Sequence, residues 1–177
     1  MRIAIGFLAL AMAAAETVVD FEGVTVLLAP NDKANRAEKW EDKGVVFKLA
    51  REPKTTKAKG LVMFFEHLTS GHKGIGSAMA LEPIPVQVNF PSVVSGVTIS
   101  FWGSAGAPAV LEAFDVAGKV LDRAELAAVP GRKGPGDAVP VFELSVKGRG
   151  IAYVQFSGAR AGEYLAADEV RFRPDGN

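Results

Sequence analysis

The fold is decided by a stretch in which apolar and polar side chains alternate, Val97-Thr98-Ile99-Ser100-Phe101-Trp102. Successive side chains of a β-strand point to opposite faces of the sheet, so Val97, Ile99 and Phe101 share one face. Thr98 and Ser100 share the other face, together with the ring of Trp102 at the end of the stretch. The alternation predicts a strand with one dry face and one wet face, as each layer of a β-sandwich requires.

The same alternation of apolar and polar residues recurs along the chain. It is clear in 86–90, 142–147, 152–157 and 170–173, and less regular in 17–21, 24–28, 45–49, 61–65 and 110–115. Segment 120–129 fits a strand or, over 123–128, a short helix. Turn-forming clusters separate these segments, among them 103–106, 115–119, 130–137 and 147–150. Three longer polar segments are predicted to be loops: 30–44, 51–60 and 66–77. Roughly ten strands at this spacing predict an all-β, antiparallel β-sandwich.

Residues 1–15 predict an export signal outside the folded domain. Arg2 provides a positive start, residues 3–12 are apolar, and Ala13-Ala14-Ala15 offers a small-residue cleavage site before Glu16. A membrane anchor is the rival interpretation, but the apolar stretch is about half of the ~20 residues that a spanning helix needs. We therefore expect a signal peptide over 1–15, a single β-sandwich domain over 16–177, and a secreted or periplasmic location.

Composition excludes several classes of function. Among 177 residues the chain has 20 Lys and Arg, 20 Asp and Glu, and no Cys. A balanced charge provides no field to attract nucleic acid, and the absence of Cys excludes thiol catalysis and cysteine metal sites. The sequence also lacks a G-x-S-x-G elbow, an H-E-x-x-H pair and a P-loop. We do not expect an enzyme, although carboxylate pairs that meet only in space leave a hydrolase as a third hypothesis.

The second half of the chain has a distinctive order of strand and turn motifs. They are Val97-x-Ile99-x-Phe101-x-Gly103, Val110-Leu111-x-Ala113-Phe114-Asp115-x-x-Gly118-x-Val120 and Phe142-x-Leu144-x-Val146-x-Gly148-x-Gly150-Ile151-Ala152-x-Val154-x-Phe156-Ser157-Gly158. This pattern resembles the galactose-binding-like or jelly-roll domains of exported bacterial proteins. Many members of that group are carbohydrate-binding modules or discoidin-like adhesion domains. The resemblance implies a jelly-roll sandwich and a non-catalytic module, with carbohydrate as the ligand class.

The same resemblance implies that the first and last strands run side by side, where a structural Ca²⁺ can bind. Asp20, Glu22 and Asp168 are the carboxylates near the two ends, and Ca²⁺ prefers such oxygen ligands. The sequence has no D-x-D-x-D loop to arrange them. The alternative is that these carboxylates accept hydrogen bonds from turn amides.

Four residues are candidates for ligand binding. An aromatic ring beside hydrogen-bonding groups can hold the apolar face of a sugar. Trp40 lies in a long polar segment, while Trp102, Tyr153 and Gln155 fall on wet faces by parity. The structural alternative is that Trp102 covers an edge of the sandwich and Trp40 pins its loop to the core.

These observations favour a non-catalytic exported binding module, with polysaccharide or another glycan as its ligand. The alternative is a structural or protein-interaction domain of the cell envelope without a small-molecule ligand. No nucleic acid and no membrane span are expected.

Overall fold

A computed structural model describes residues 15–21, 36–54, 61–66, 72–77, 82–134, 137–158 and 160–176, and eleven β-strands provide the regular structure of these residues. The described residues contain no helix, and every pair of strands is antiparallel. The strands are β1 Thr17–Asp20, β2 Arg36–Ala37, β3 Lys39–Asp42, β4 Val45–Leu49, β5 Leu61–Glu66, β6 His72–Ser77, β7 Val86–Gly103, β8 Ala109–Phe114, β9 Val120–Leu126, β10 Phe142–Ser157 and β11 Leu165–Pro174.

Two long strands, β7 and β10, pair with each other over most of their length and pass through both layers of the sandwich. Residues 86–90 of β7 and 151–157 of β10 belong to layer I, whose strand order is β3-β4-β7-β10-β8-β9. The other halves belong to layer II, in which β11 lies between β7 and the strands β1 and β6. Hydrogen bonds thus connect one continuous sheet that folds over on itself.

The change of layer occurs where the β7–β10 pairing is irregular. The register shifts between Lys147 and Ile151 and again between Ile151 and Tyr153. Pro91 has no amide hydrogen and lies opposite this irregular segment, where a missing hydrogen bond is tolerated. Gly150 adopts a φ of +77°, which favours glycine, and its amide donates to the Asp175 carboxylate over 2.9 Å. Bulges of this kind bend a strand from one layer into the next.

Aromatic contacts between the layers form the core. The ring of Phe101 in layer II lies 5.1 Å from that of Phe156 in layer I, and Phe90 lies 5.0 Å from Phe172. Phe101 is fully buried. The alternating apolar side chains of both layers therefore meet in one dry interior, and the predicted β-sandwich is confirmed.

Several sequence expectations need correction in detail. The segments 86–90 and 97–102 were expected as separate strands but are two halves of β7, and 142–147 and 152–157 are halves of β10. The segment 120–129 forms strand β9, not a helix. Part of the predicted loop 66–77 is strand β6, and β3 occupies part of the predicted loop 30–44. The expected strand 24–28 lies outside the described residues.

The ends of the folded region lie side by side, as the family resemblance implies. Strand β1 pairs with β11, with Thr17 opposite Phe172 and Asp20 opposite Glu169. The expected signal peptide falls on residues that the structure does not describe, apart from Ala15. Within the described ranges, no helix has the length and apolar character needed to cross a membrane.

Candidate functional site

Two of the four predicted ligand-binding residues lie together on layer I. Tyr153 and Gln155 are two positions apart on β10, so they point to the same face, and both are partly exposed. Their neighbours Val154 and Phe156 point into the core and are buried. The outward direction predicted for Tyr153 and Gln155 is therefore confirmed.

The two tryptophans lie elsewhere, and of the two alternatives open for their rings the structure favours packing. The Trp40 ring points into the sandwich, 4.9 Å from the ring of Phe21 and 5.2 Å from that of Phe47. Trp102 belongs to a small cluster outside the main core, but it is only 2% exposed because Val139 and Ala166 pack with it. Both indoles occupy the packing positions of the structural alternative. A role of Trp40 and Trp102 in ligand binding stays a prediction, and neither ring lies on an exposed surface that would support it.

Cross-strand register extends Tyr153 and Gln155 into a larger surface. Tyr153 lies between Asn89 of β7 and Phe114 of β8, and Gln155 lies between Gln87 and Glu112. Residues directly opposite each other on antiparallel strands have neighbouring side chains on one face. We call this surface the amide–aromatic face, and its members are Gln87, Asn89, Glu112, Phe114, Tyr153 and Gln155.

The aromatic part of this face is a stacked pair of rings. The rings of Tyr153 and Phe114 are 4.8 Å apart with an interplanar angle of 7°. Phe114 thereby covers one face of the Tyr153 ring, and the other face lies on the side of β7, where the neighbouring side chains are amides. A Cβ placed on Gly118 would lie 3.5 Å from the Tyr153 hydroxyl oxygen, so the hydroxyl reaches the β8–β9 turn.

That turn is well defined by its own hydrogen bonds. The Asp115 carboxylate accepts from the backbone amides of Ala117 and Lys119, each over 2.9 Å. Gly118 has a φ of +80°, a conformation that side chains rarely adopt. The turn therefore provides a fixed boundary for the Tyr153–Phe114 pair.

The amide part is a directed chain of hydrogen bonds. Gln155 Nε2 donates to Gln87 Oε1 over 3.3 Å, and Gln87 Nε2 donates to Asn89 Oδ1 over 2.8 Å. Asn89 Nδ2 then donates to the backbone carbonyl of Val46 over 3.2 Å. Because each amide nitrogen donates to the next group, the chain orients all three side chains. The Oε1 atom of Gln155 accepts no bond in this chain and remains available to an external donor.

Charged residues stand at both ends of the same row. At one end, Arg123 forms ion pairs with Glu112 over 3.7 Å and with Glu125 over 2.8 Å. At the other end, Lys48 lies opposite Gln87 on one side and opposite Lys39 on the other. The row thus runs from a pair of lysines through two amides to a carboxylate–guanidinium cluster.

Two of the three predicted calcium ligands, Asp20 and Asp168, lie within the described residues. Asp20 of β1 is opposite Glu169 of β11, one position from Asp168, so the predicted ligands near the two ends lie on paired strands. The described residues contain no group of three or more His, Asp or Glu side chains that could hold a metal ion. Glu22 lies outside them. Calcium binding at Asp20, Glu22 and Asp168 stays a prediction, and the function proposed below does not use it.

Sequence reasoning missed four members of the amide–aromatic face. Parity alone indicates that Gln87 and Asn89 point away from the buried Val86 and Val88, and the alternation of 110–115 places Phe114 on the same face as Glu112. Parity does not say that these strands are neighbours. The missing signal was the strand order, which brings β7, β10 and β8 together.

Comparison with solved structures places the fold among known β-sandwich domains. The K1 cleaved adhesin domain of Lys-gingipain from Porphyromonas gingivalis W83 matches with a TM-score of 0.54 and 15% sequence identity, covering 92% of this chain and 99% of that one. The K2 cleaved adhesin domain of Lys-gingipain matches with a TM-score of 0.52 and 14% identity, covering 89% of this chain and 97% of the other. The chain has the fold of these adhesin domains. At such low identity the likeness concerns the fold alone.

A weaker match is TmCBM61 in complex with beta-1,4-galactotriose, with a TM-score of 0.44 and 14% identity, covering 74% of this chain and 89% of that one. No protein-family model matches the chain. No curated protein matches it either.

Proposed function

We propose that the protein is an exported, non-catalytic binding module that holds a polysaccharide on the amide–aromatic face. One observation carries this proposal. Phe114 stacks on one face of Tyr153, and the other face lies beside an ordered chain of amides on the solvent side of layer I. Export rests on the predicted signal peptide.

A sugar ring matches this arrangement in two ways. The C–H face of a pyranose is apolar and can pack on an aromatic ring, since both surfaces then leave water. Its hydroxyl groups both donate and accept hydrogen bonds, and the side chains of Gln155 and Glu112 supply acceptors beside the ring. Because the amide chain already orders these side chains, less conformational entropy is lost on binding.

The carboxylates beside Arg123, at one end of this face, favour binding over catalysis. Glu112 and Glu125 both form ion pairs with Arg123. A glycosidase needs one carboxyl group that donates a proton and a second that acts as base or nucleophile. The arrangement of Glu112 and Glu125 around one guanidinium instead supports recognition of hydroxyl groups.

Affinity electrophoresis of the purified protein in gels that contain soluble polysaccharides tests the proposal. We expect at least one polysaccharide of a broad panel to retard the protein. Truncation of Tyr153 to alanine should weaken that retention about tenfold or more, because roughly 1.5–3 kcal/mol of aromatic burial is lost. Tyr153→Phe keeps the ring and should retain most of the binding.

Tyr164→Ala is the matched control, since Tyr164 is the other tyrosine and packs against the core and the Trp102 cluster. If Tyr164→Ala binds normally while Tyr153→Ala does not, the loss reflects contact with the ligand and not general destabilisation. Absence of retention by every polysaccharide in the panel would overturn the proposal and favour the envelope-interaction alternative.

A further inference from the structure

Two lysines meet at the edge of the amide–aromatic face. Lys39 of β3 and Lys48 of β4 are directly opposite each other. They point outward, because the next pair along the same two strands, Trp40 and Phe47, packs into the core. Like charges directly opposite each other on neighbouring strands destabilise a sheet. An anion between or beside the two ammonium groups would relieve this repulsion.

The ion pairs around these lysines are weak. Lys39 is 3.8 Å from Glu41, and both side chains are more than half exposed, a geometry that contributes little. Lys48 forms no ion pair with any residue in the described part of the chain. Arg51, the third cation nearby, is already paired with Glu82 over 2.5 Å. Of these three cations, the two lysines are therefore the ones that can bind an external anion.

A cavity of about 370 Å³ lies beside the two lysines. Its charged lining consists of Glu38, Lys39, Lys48, Arg51 and Glu52. Neither Glu38 nor Glu52 forms an ion pair with another described residue, so the lining acids do not neutralise the lysines directly. Lys48 also lies opposite Gln87, which places the cavity at the end of the row that contains Gln155.

We propose that this cavity binds an anionic substituent of the polysaccharide, a carboxylate or a sulfate ester, between Lys39 and Lys48. This inference rests on the proposed function and specifies its ligand as an acidic polysaccharide. A chain that stacks on Tyr153 and runs along the Gln155–Gln87 row brings its next residues to the lysine pair. The bound anion relieves the repulsion between the two ammonium groups, so binding gains from both contacts.

The test compares polysaccharides that differ only in charge. Polygalacturonate is paired with its methyl-esterified form, and dextran sulfate with dextran, so that the two pairs separate a carboxylate ligand from a sulfate ligand. We expect one charged form to be retained more strongly than its neutral partner. Lys39→Gln and Lys48→Gln should each reduce that preference about fivefold, the usual upper value for one exposed charge pair. About 1 M salt should abolish the preference and leave the neutral contacts in place.

Lys147→Gln is the matched control, because it removes the same charge from the outer face of layer II, where Lys147 is opposite Gly96. Glu52→Gln removes an acid from the same cavity and should increase the preference. Equal retention of charged and neutral forms would overturn the inference, as would an equal loss in Lys147→Gln and Lys48→Gln. In both cases retention of neutral polysaccharides would leave the proposed function standing. Retention of no polysaccharide, charged or neutral, would overturn both.

Discussion

The outer faces of the two layers are built from similar strands but differ in how their polar side chains are paired. On layer II, which we call the ion-paired face, Arg171 binds both Glu143 and Glu169, and Arg173 binds Glu16 over 3.3 Å. On layer I, the amide–aromatic face has a stacked aromatic pair and a chain of amides, and Oε1 of Gln155 accepts no hydrogen bond within that chain. An outward-pointing polar side chain is therefore not by itself a binding group, because it is often already satisfied by its neighbours.

Register explains how the ion pairs of this face form. Glu143 and Glu169 both lie opposite Ser100, one on each neighbouring strand, so two negative charges share one row. Arg171 is in the next row, opposite Thr98, from which its guanidinium reaches both carboxylates. The Thr98 and Ser145 hydroxyl groups bond to each other over 2.8 Å. Both carboxylates and these two hydroxyl groups therefore have a partner on the ion-paired face.

The largest effect expected from this comparison is on stability, at Trp102. We expect Trp102→Ala to lower the free energy of unfolding by about 3–5 kcal/mol, because a buried ring is replaced by a cavity under Val139. Urea denaturation measures this loss. At temperatures where the variant stays folded, its retention by polysaccharide should equal that of the wild type. A small loss of stability together with a loss of retention would instead make Trp102 part of the binding surface.

The example of Trp102 also marks how far sequence reasoning extends. Alternation correctly separated Val97, Ile99 and Phe101, which are buried in the main core, from the opposite side of the strand. It did not indicate that Val139, distant in sequence, covers the Trp102 ring. Periodicity predicts to which face of a strand each side chain points. Whether that side chain is buried also depends on which distant segment packs on that face.

The amide chain was beyond prediction for a related reason. Gln155 and Gln87 are 68 positions apart, and their hydrogen bond exists only because β7 and β10 pair in one register. A shift by one residue would turn Gln87 to the core. The sandwich class and the outward direction of Tyr153 were therefore predictable, whereas the binding surface needed the strand order.

A smaller effect is expected at Arg171 on the ion-paired face. Arg171→Met keeps much of the aliphatic stem but leaves Glu143 and Glu169 without their shared cation. We expect a loss of about 1 kcal/mol in the free energy of unfolding, since these side chains are partly exposed. Thermal unfolding measures the loss, and affinity electrophoresis should detect no change in retention. Weaker retention in Arg171→Met would show that the ion-paired face takes part in binding and would remove the contrast between the two faces.

The smallest expected effect concerns the paired cation beside the lysine cavity and depends on pH. The hydrogen bond that Arg51 donates to Glu82, assisted by the Lys54 backbone amide over 2.8 Å, holds the pKa of the Glu82 carboxyl below its ordinary value of 4.5, although burial opposes this. Because the pKa is lower in the folded protein, the carboxylate stabilises the fold above pH 4.5, and this contribution disappears as the pH falls through the lowered pKa.

Glu82→Gln removes that contribution, so the variant should be less stable than the wild type at neutral pH, and the difference should shrink in acid. Thermal unfolding between about pH 3 and pH 7 follows this trend, with the sign set by linkage between proton binding and folding. The substitution also releases Arg51 as a third cation beside Lys39 and Lys48, and retention of a charged polysaccharide at neutral pH should rise slightly. A stability difference that grows in acid would contradict the Arg51–Glu82 pairing, and with it the view that only the two lysines are left to meet an anion.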